Sequence, residues 1–423
     1  MNLRGIGLVF ALLASGAKTA RAEDALNSSD KPTPEEQQQK KKEPPDGKFE
    51  LNVVPIVGGS TDIGIGGGVF GGLSRVKKGH EPFLWDVQTA ATFTFREHNG
   101  ALQSPYQDVY VKLIVPQFLG LPLRLEVRPS YTWEQTLGYY GVGNASVAPS
   151  NAASGYEQYG RLHPAFDVFG RLKVVDHVAA QVGMRYTQNS VQVDPSSKLA
   201  QDLASADPEI HSLVHGPTGM HGVALFQYGL QWDNRDNEVS THSGMFHEIT
   251  VKASPGGTPE FPYRYGQANA KARFYIPIIK PRLTLALRAV VDALVGDPPF
   301  YELSRFDDTY AIGGSNGVRG VPGQRYSGKI KAFGNIELRS EIVKFRALKK
   351  NMIFGAVGFF DGGRVWADWK PEPQLDGTGL GLKYGTGGGL RLQSGDTFVI
   401  RLDVAWSPDA TPIGAYFGAD QMF

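Results

Sequence analysis

Between residues 49 and 423 apolar side chains recur at every second position, the period of a pleated strand whose two faces meet different surroundings. Residues 330–342 show it most cleanly. Ile330, Ala332, Gly334, Ile336, Leu338 and Ile342 share one face, and Lys331, Asn335, Glu337, Arg339 and Glu341 share the other. Residues 398–406 repeat the pattern, with Phe398, Ile400, Leu402, Val404 and Trp406 set against Arg401 and Asp403. Strands of a soluble sandwich usually run to about five or six residues. These run to ten or more, which is long enough to cross a bilayer at a tilt. Inside lipid the backbone finds no water, so spanning strands must pair all the way round and close into a barrel.

Cutting the pattern at its turn signals predicts an all-β fold, a transmembrane antiparallel β-barrel of about sixteen strands. The strands fall near 49–58, 62–76, 82–96, 105–118, 121–137, 156–173, 176–190, 220–233, 243–254, 263–276, 282–296, 330–345, 352–366, 380–394, 396–407 and 412–423. Connections alternate in length. Those at 119–120, 174–175 and 279–281 are short, whereas 138–155, 191–219 and 296–329 are long. This alternation separates periplasmic turns from extracellular loops, with the turn near 233–242 longer than its class. Residues 199–203 suit one helical turn inside a long loop.

Composition sharpens the picture. The chain has 423 residues, including 52 Gly and no Cys, so disulfides, thiolate metal sites and a cysteine nucleophile are excluded. Residues 1–22 carry a basic start at Arg4, a short apolar run and an Ala20-Arg21-Ala22 cleavage pattern, which predict a secretory signal peptide. Losing its three basic residues and no acid would take the formal charge from +1 to −2, a near-balance that argues against nucleic acid as a partner. Residues 23–48 are charged and proline-rich, too poor in large apolar groups to offset ordering entropy, and predict a disordered periplasmic linker. The barrel then occupies 49–423.

One loop stands apart: Gly313-Gly314-Ser315-Asn316-Gly317-Val318-Arg319-Gly320-Val321, too rich in glycine for a helix and carrying a single arginine. A guanidinium is a planar fork that seeks a bidentate carboxylate. Asp361 is the first inward-facing candidate and Glu337 the second. The glycines of this stretch and Gly362-Gly363 allow loop and wall backbones to approach closely. Ser315 sits in a G-x-S-x-G pattern without the helix that a nucleophile elbow needs. Gly66-x-Gly68-x-x-Gly71 lacks the βαβ setting of a dinucleotide site, and His211, His215 and His221 lack the glutamate of a zinc helix. No catalytic residue, cofactor or metal site is expected.

Four segments together resemble a known family. They are Val318-Arg319-Gly320; Phe359-Phe360-Asp361-Gly362-Gly363; Tyr139-Tyr140-Gly141-Val142-Gly143-Asn144; and Trp232-Asp233-Asn234-Arg235-Asp236-Asn237 followed by Gly244. The chain is similar to the bacterial surface antigen superfamily, the BamA- and TamA-like outer-membrane assembly factors, in a branch lacking POTRA domains. The resemblance implies that the tip of the sixth extracellular loop folds into the barrel, meeting an F-x-D-x-G motif on the thirteenth strand. Val318, Arg319 and Gly320 would form that tip, and Phe359, Asp361, Gly363 and Glu337 would form the wall. Val321 stands where the family carries an aromatic. Phe417 and Phe423 would supply the last-strand aromatic signal read by barrel-assembly machinery.

The implied function is insertion or translocation of proteins, or of lipid-linked cargo, at the bacterial outer membrane. The partners would be membrane lipid, the assembly machinery that inserts this barrel, and an outer-membrane substrate or periplasmic partner. Two other readings remain open: a porin-like channel gated by residues 297–329, and a structural surface antigen displaying 138–155 and 191–219.

Overall fold

The computed structural model describes residues 48–423 apart from 78, 81, 99–100, 150–154, 307–308, 311, 348–349, 395–397, 410–412 and 419–420. The expected signal peptide and all but the last residue of the expected linker lie outside the described residues.

The chain forms a closed antiparallel barrel of sixteen strands. They are β1 (Phe49–Ser60), β2 (Gly64–Arg75), β3 (Trp85–His98), β4 (Tyr106–Val115), β5 (Leu123–Gly138) and β6, in two pieces (Gln158–Leu162 and Ala165–Val175). Next come β7 (Val178–Gln192), β8 (His221–Asp233), β9 (Gly244–Pro255), β10 (Arg264–Ile279) and β11 (Leu283–Gly296). The last five are β12 (Ile330–Ala347), β13 (Lys350–Trp366), β14 (Lys383–Ser394), β15 (Phe398–Trp406) and β16 (Gly414–Gly418). No helix among the described residues is long and apolar enough to cross a membrane.

The alternation seen in the sequence becomes a division between lipid and lumen. On β12, Ile336 and Leu338 are exposed outward, while Lys331, Asn335, Glu337 and Arg339 are buried inward. On β15, Leu402, Val404 and Trp406 face out and Arg401 and Asp403 face in. Backbone groups in lipid need partners, and away from the β1–β16 closure the strands find them in the neighbours on both edges.

Two apolar clusters lie toward the end of the barrel that carries the long loops. One gathers Tyr139, Tyr159, Tyr263, Tyr265, Phe300 and Tyr301 with Leu199 and Leu213 from two short helices, α1 (Lys198–Leu203) and α2 (Pro208–Leu213). Ser197 and Asp207 cap these helices by accepting backbone N–H groups. The other cluster joins Phe306, Ile312, Val318, Val321 and Tyr326 of the β11–β12 loop to Val290, Phe333 and Val365 of the wall. Val321 is fully buried there.

Strand boundaries agree with the sequence reading to within a few residues except at the end of the chain. The last strand was expected over 412–423 but runs only from Gly414 to Gly418. Met422 and Phe423 are buried beside Tyr275 and Ala286 inside the barrel. Two lumenal arginines account for the departure. Arg339 donates to the Phe423 carbonyl at 2.8 Å and Arg288 to the Met422 carbonyl at 3.3 Å, and both guanidinium groups face the Phe423 ring.

Candidate functional site

Strands β12, β13 and β15 each contribute one fully buried carboxylate, and the β11–β12 loop brings one guanidinium to all three. Arg319 is fully buried. Its Nε and Nη2 donate to Asp361 at 2.7 and 3.0 Å, and its backbone N–H donates to the same carboxylate at 3.1 Å. Nη1 donates to Asp403 at 3.0 Å and lies 2.8 Å from Glu337 in an ion pair. The Phe359 ring lies under the guanidinium, 3.4 Å from its carbon to the ring centroid, a cation–π contact strengthened by desolvation.

Two further arginines balance the carboxylates. Arg339 donates to Glu337 from Nε at 2.8 Å, and Arg391 of β14 pairs with Asp403. The three anions are thus each in direct contact with one or more of three cations, and the buried Arg288 of β11 lies within electrostatic reach of Asp361 and Glu337. Burial works against the Arg319 charge, but the attraction of Asp361 and Glu337 outweighs it and pushes the guanidinium pKa up. Low dielectric makes such a network strong when complete and costly when any member is missing.

Backbone shape makes the approach feasible at two positions. Gly320 has φ 91°, a left-handed conformation that suits glycine. A Cβ on Gly385 of β14 would meet the Arg319 carbonyl at 1.8 Å, so only glycine leaves room for the loop there. Arg288 donates to the Asn316 carbonyl at 2.7 Å, and Asn335 donates to that of Gly317 at 2.9 Å, which ties the preceding residues to β11 and β12.

The start of the same loop is anchored separately. Tyr301 bonds His221 at 2.9 Å and lies under Arg161, 3.6 Å from guanidinium carbon to ring centroid. Lys331 pairs with Asp292 at 2.8 Å, both fully buried, and donates to the Glu302 carbonyl. His221 therefore serves this packing, while the His211 and His215 rings contact each other.

Of the residues singled out in the sequence, the structure brings together Val318, Arg319, Gly320, Phe359, Asp361, Gly363 and Glu337. The choice between Asp361 and Glu337 dissolves, since Arg319 reaches both. Asp403 is a third partner that the sequence motifs did not single out. Its alternation in 398–406 was the available signal. Phe417 lies on β16, half exposed, while Phe423 is in the lumen.

The closing pair of strands is the weakest in the barrel. β1 and β16 share two register pairs, Gly59–Phe417 and Ser60–Tyr416, extended by one bond from Thr61 N–H to the Ala415 carbonyl at 3.1 Å. Phe49 to Val57 of β1 is paired with β2 but has no register partner on β16 among the described residues. By contrast, β12 and β13 pair from Ile330–Trp366 down to Ala347–Lys350.

Residues 99–423 match the Omp85 superfamily domain. Among solved structures, the chain is similar to BamA from Haemophilus ducreyi lacking POTRA domains 1–3, at 14% identity and TM-score 0.58, covering 88% of this chain and 70% of that one. It is also similar to CdiB from Escherichia coli, at 13% identity and TM-score 0.56, covering 89% of this chain and 63% of that one. For CdiB from Acinetobacter baumannii the values are 13%, 0.50, 88% and 59%. At these identities the likeness is one of fold. The chain spans less than two thirds of either CdiB. No curated protein matches.

Proposed function

Since the chain belongs to the Omp85 superfamily, we propose that this outer-membrane barrel inserts or translocates proteins by opening between β1 and β16. The carrying observation is the closing seam. The run from Phe49 to Val57, paired with β2 on one edge and without a register partner on β16 among the described residues, offers backbone donors and acceptors along its other edge, which is a template for another strand. Pro55 lies in this run, as suits an edge strand. The Arg319 network supports the same reading, because it holds the β11–β12 loop within the lumen and leaves the seam as the route for an incoming strand.

The test uses the absence of native cysteine. Thr61→Cys with Ala415→Cys places two thiols at facing positions across the seam. Oxidised protein in proteoliposomes should fail to fold an added outer-membrane barrel, scored by protease protection, and reduction should restore folding. Equal activity in the oxidised and reduced states would rule out the seam.

A further inference from the structure

The tip of the β11–β12 loop touches both sides of the seam. On one side, the Gly320 N–H donates to the Tyr416 hydroxyl at 2.9 Å, and Tyr416 is one of the two β16 residues in register with β1. On the other, the Gly323 N–H donates to the Asp62 carboxylate at 3.1 Å, and Asp62 lies in the turn that joins β1 to β2. Arg96 of β3 donates to the Asp62 carbonyl at 3.1 Å and steadies that turn. Only two residues, Val321 and Pro322, therefore separate the contact with the last strand from the contact with the first hairpin. The segment between them is rigid: Val321 is fully buried, the Gly314 N–H donates to its carbonyl at 2.9 Å, and Pro322 fixes its own φ.

The same tip is linked to the residues beyond β16. Arg288 donates from Nη2 to the Asn316 carbonyl and from Nη1 to the Met422 carbonyl, bridging loop and tail. The strand with the shortest pairing in the barrel is thus held partly by a loop and not by its neighbour.

We propose that the loop tip is a clasp for the seam. While Arg319 is seated on Asp361, Glu337 and Asp403, the Gly320 and Gly323 amides fix Tyr416 and Asp62 at one spacing, and β1 and β16 stay paired. When the tip lifts, both bonds go together, and the seam keeps only its short ladder. Coupling runs both ways, so parting the strands weakens the seating of Arg319 by the same factor. The Arg319 site then acts as the control point of the opening, through two backbone amides. This inference rests on the reading of the seam as the working edge, but its test reads the seam alone and is independent of any insertion assay.

The experiment is hydrogen exchange by mass spectrometry on the full barrel in lipid nanodiscs, following peptides that contain residues 59–61 and 415–417. Tyr416→Phe and Asp62→Ala each remove one acceptor, and each should speed exchange of these peptides by roughly two- to ten-fold. Asp62→Asn keeps an acceptor oxygen and should lie close to wild type. Gly385→Ala, which pushes the Arg319 carbonyl off the wall, should speed exchange at least as much as the two acceptor variants combined. Adding Tyr416→Phe to Gly385→Ala should change nothing further, because the clasp is already open. Peptides of the β12–β13 ladder should exchange as in wild type throughout. The proposal is overturned if seam exchange is unchanged in Tyr416→Phe and Gly385→Ala. It is also overturned if the two effects simply multiply, since Tyr416 then acts without the loop, or if the β12–β13 ladder loosens equally.

Discussion

Replacing Arg319 by alanine is the sharpest perturbation of this barrel, because it removes the one guanidinium that joins three buried carboxylates. The site holds Arg319, Arg339 and Arg391 against Asp361, Glu337 and Asp403. Without Arg319, Asp361 loses its bidentate partner, Glu337 and Asp403 each lose an ion pair, and the Phe359 ring loses the cation above it. Breaking a buried pair in this way costs about 3–5 kcal/mol. At about 1.4 kcal/mol per decade, the ratio of seated to lifted loop should fall by roughly a hundred- to several-thousand-fold. Planar-bilayer conductance reads the outcome: small flickering currents in the wild type should become large and steady in Arg319→Ala. Limited trypsin digestion gives a second reading, since Arg325 and Lys329 of the loop should become cleavable. Arg319→Ala combined with Asp361→Asn rebalances the charge and should recover part of the seated state, the non-additivity expected of residues in contact. Arg319→Lys keeps the charge but not the bidentate fork and should fall between. A wide-open wild type, or conductance and cleavage unchanged in Arg319→Ala, would refute the reasoning and favour a porin-like channel.

Two further predictions follow from the same geometry. Asp361 takes three donors of Arg319 whereas Asp403 takes one, so Asp361→Asn should expose the loop to trypsin far more than Asp403→Asn. Burial raises the Asp62 carboxyl above its usual 3.8, against the opposing pull of the Gly323 amide and Arg96. A raised carboxyl pKa means that the folded barrel binds this proton more tightly than the unfolded chain. Stability should therefore fall as pH rises from 3.8 through the folded value, and stay lower above it. Heat-modifiability on gels across about pH 3 to 7 should show this slope in the wild type and lose it in Asp62→Asn.

Much of this architecture is legible in the sequence, because a barrel in lipid writes its two faces into neighbouring positions. Period two is a local property, so residues 330–342 and 398–406 revealed which side chains face lipid and which the lumen. Alternating loop lengths then identified the two ends of the barrel. Arg319 and Asp361 could be matched through their motifs, since a buried guanidinium has few chemical choices. What the pattern left open was everything that depends on closure. Alternation says that Asp403 faces inward but not that it shares a guanidinium with residues on β12 and β13, because strand order around a cylinder is not a local property. It likewise extended the last strand to Phe423, since nothing nearby in sequence marks the point where Arg288 and Arg339 draw the chain into the lumen.

The sequence by itself determined the face of each strand, the arginine that matters and its first partner, because those follow from periodicity and from the chemistry of single residues. Only the tertiary structure decided that one guanidinium joins three strands, and that β1 and β16 meet over a few residues under the loop tip. Those contacts link positions up to several hundred residues apart. Only closing the barrel brings them together.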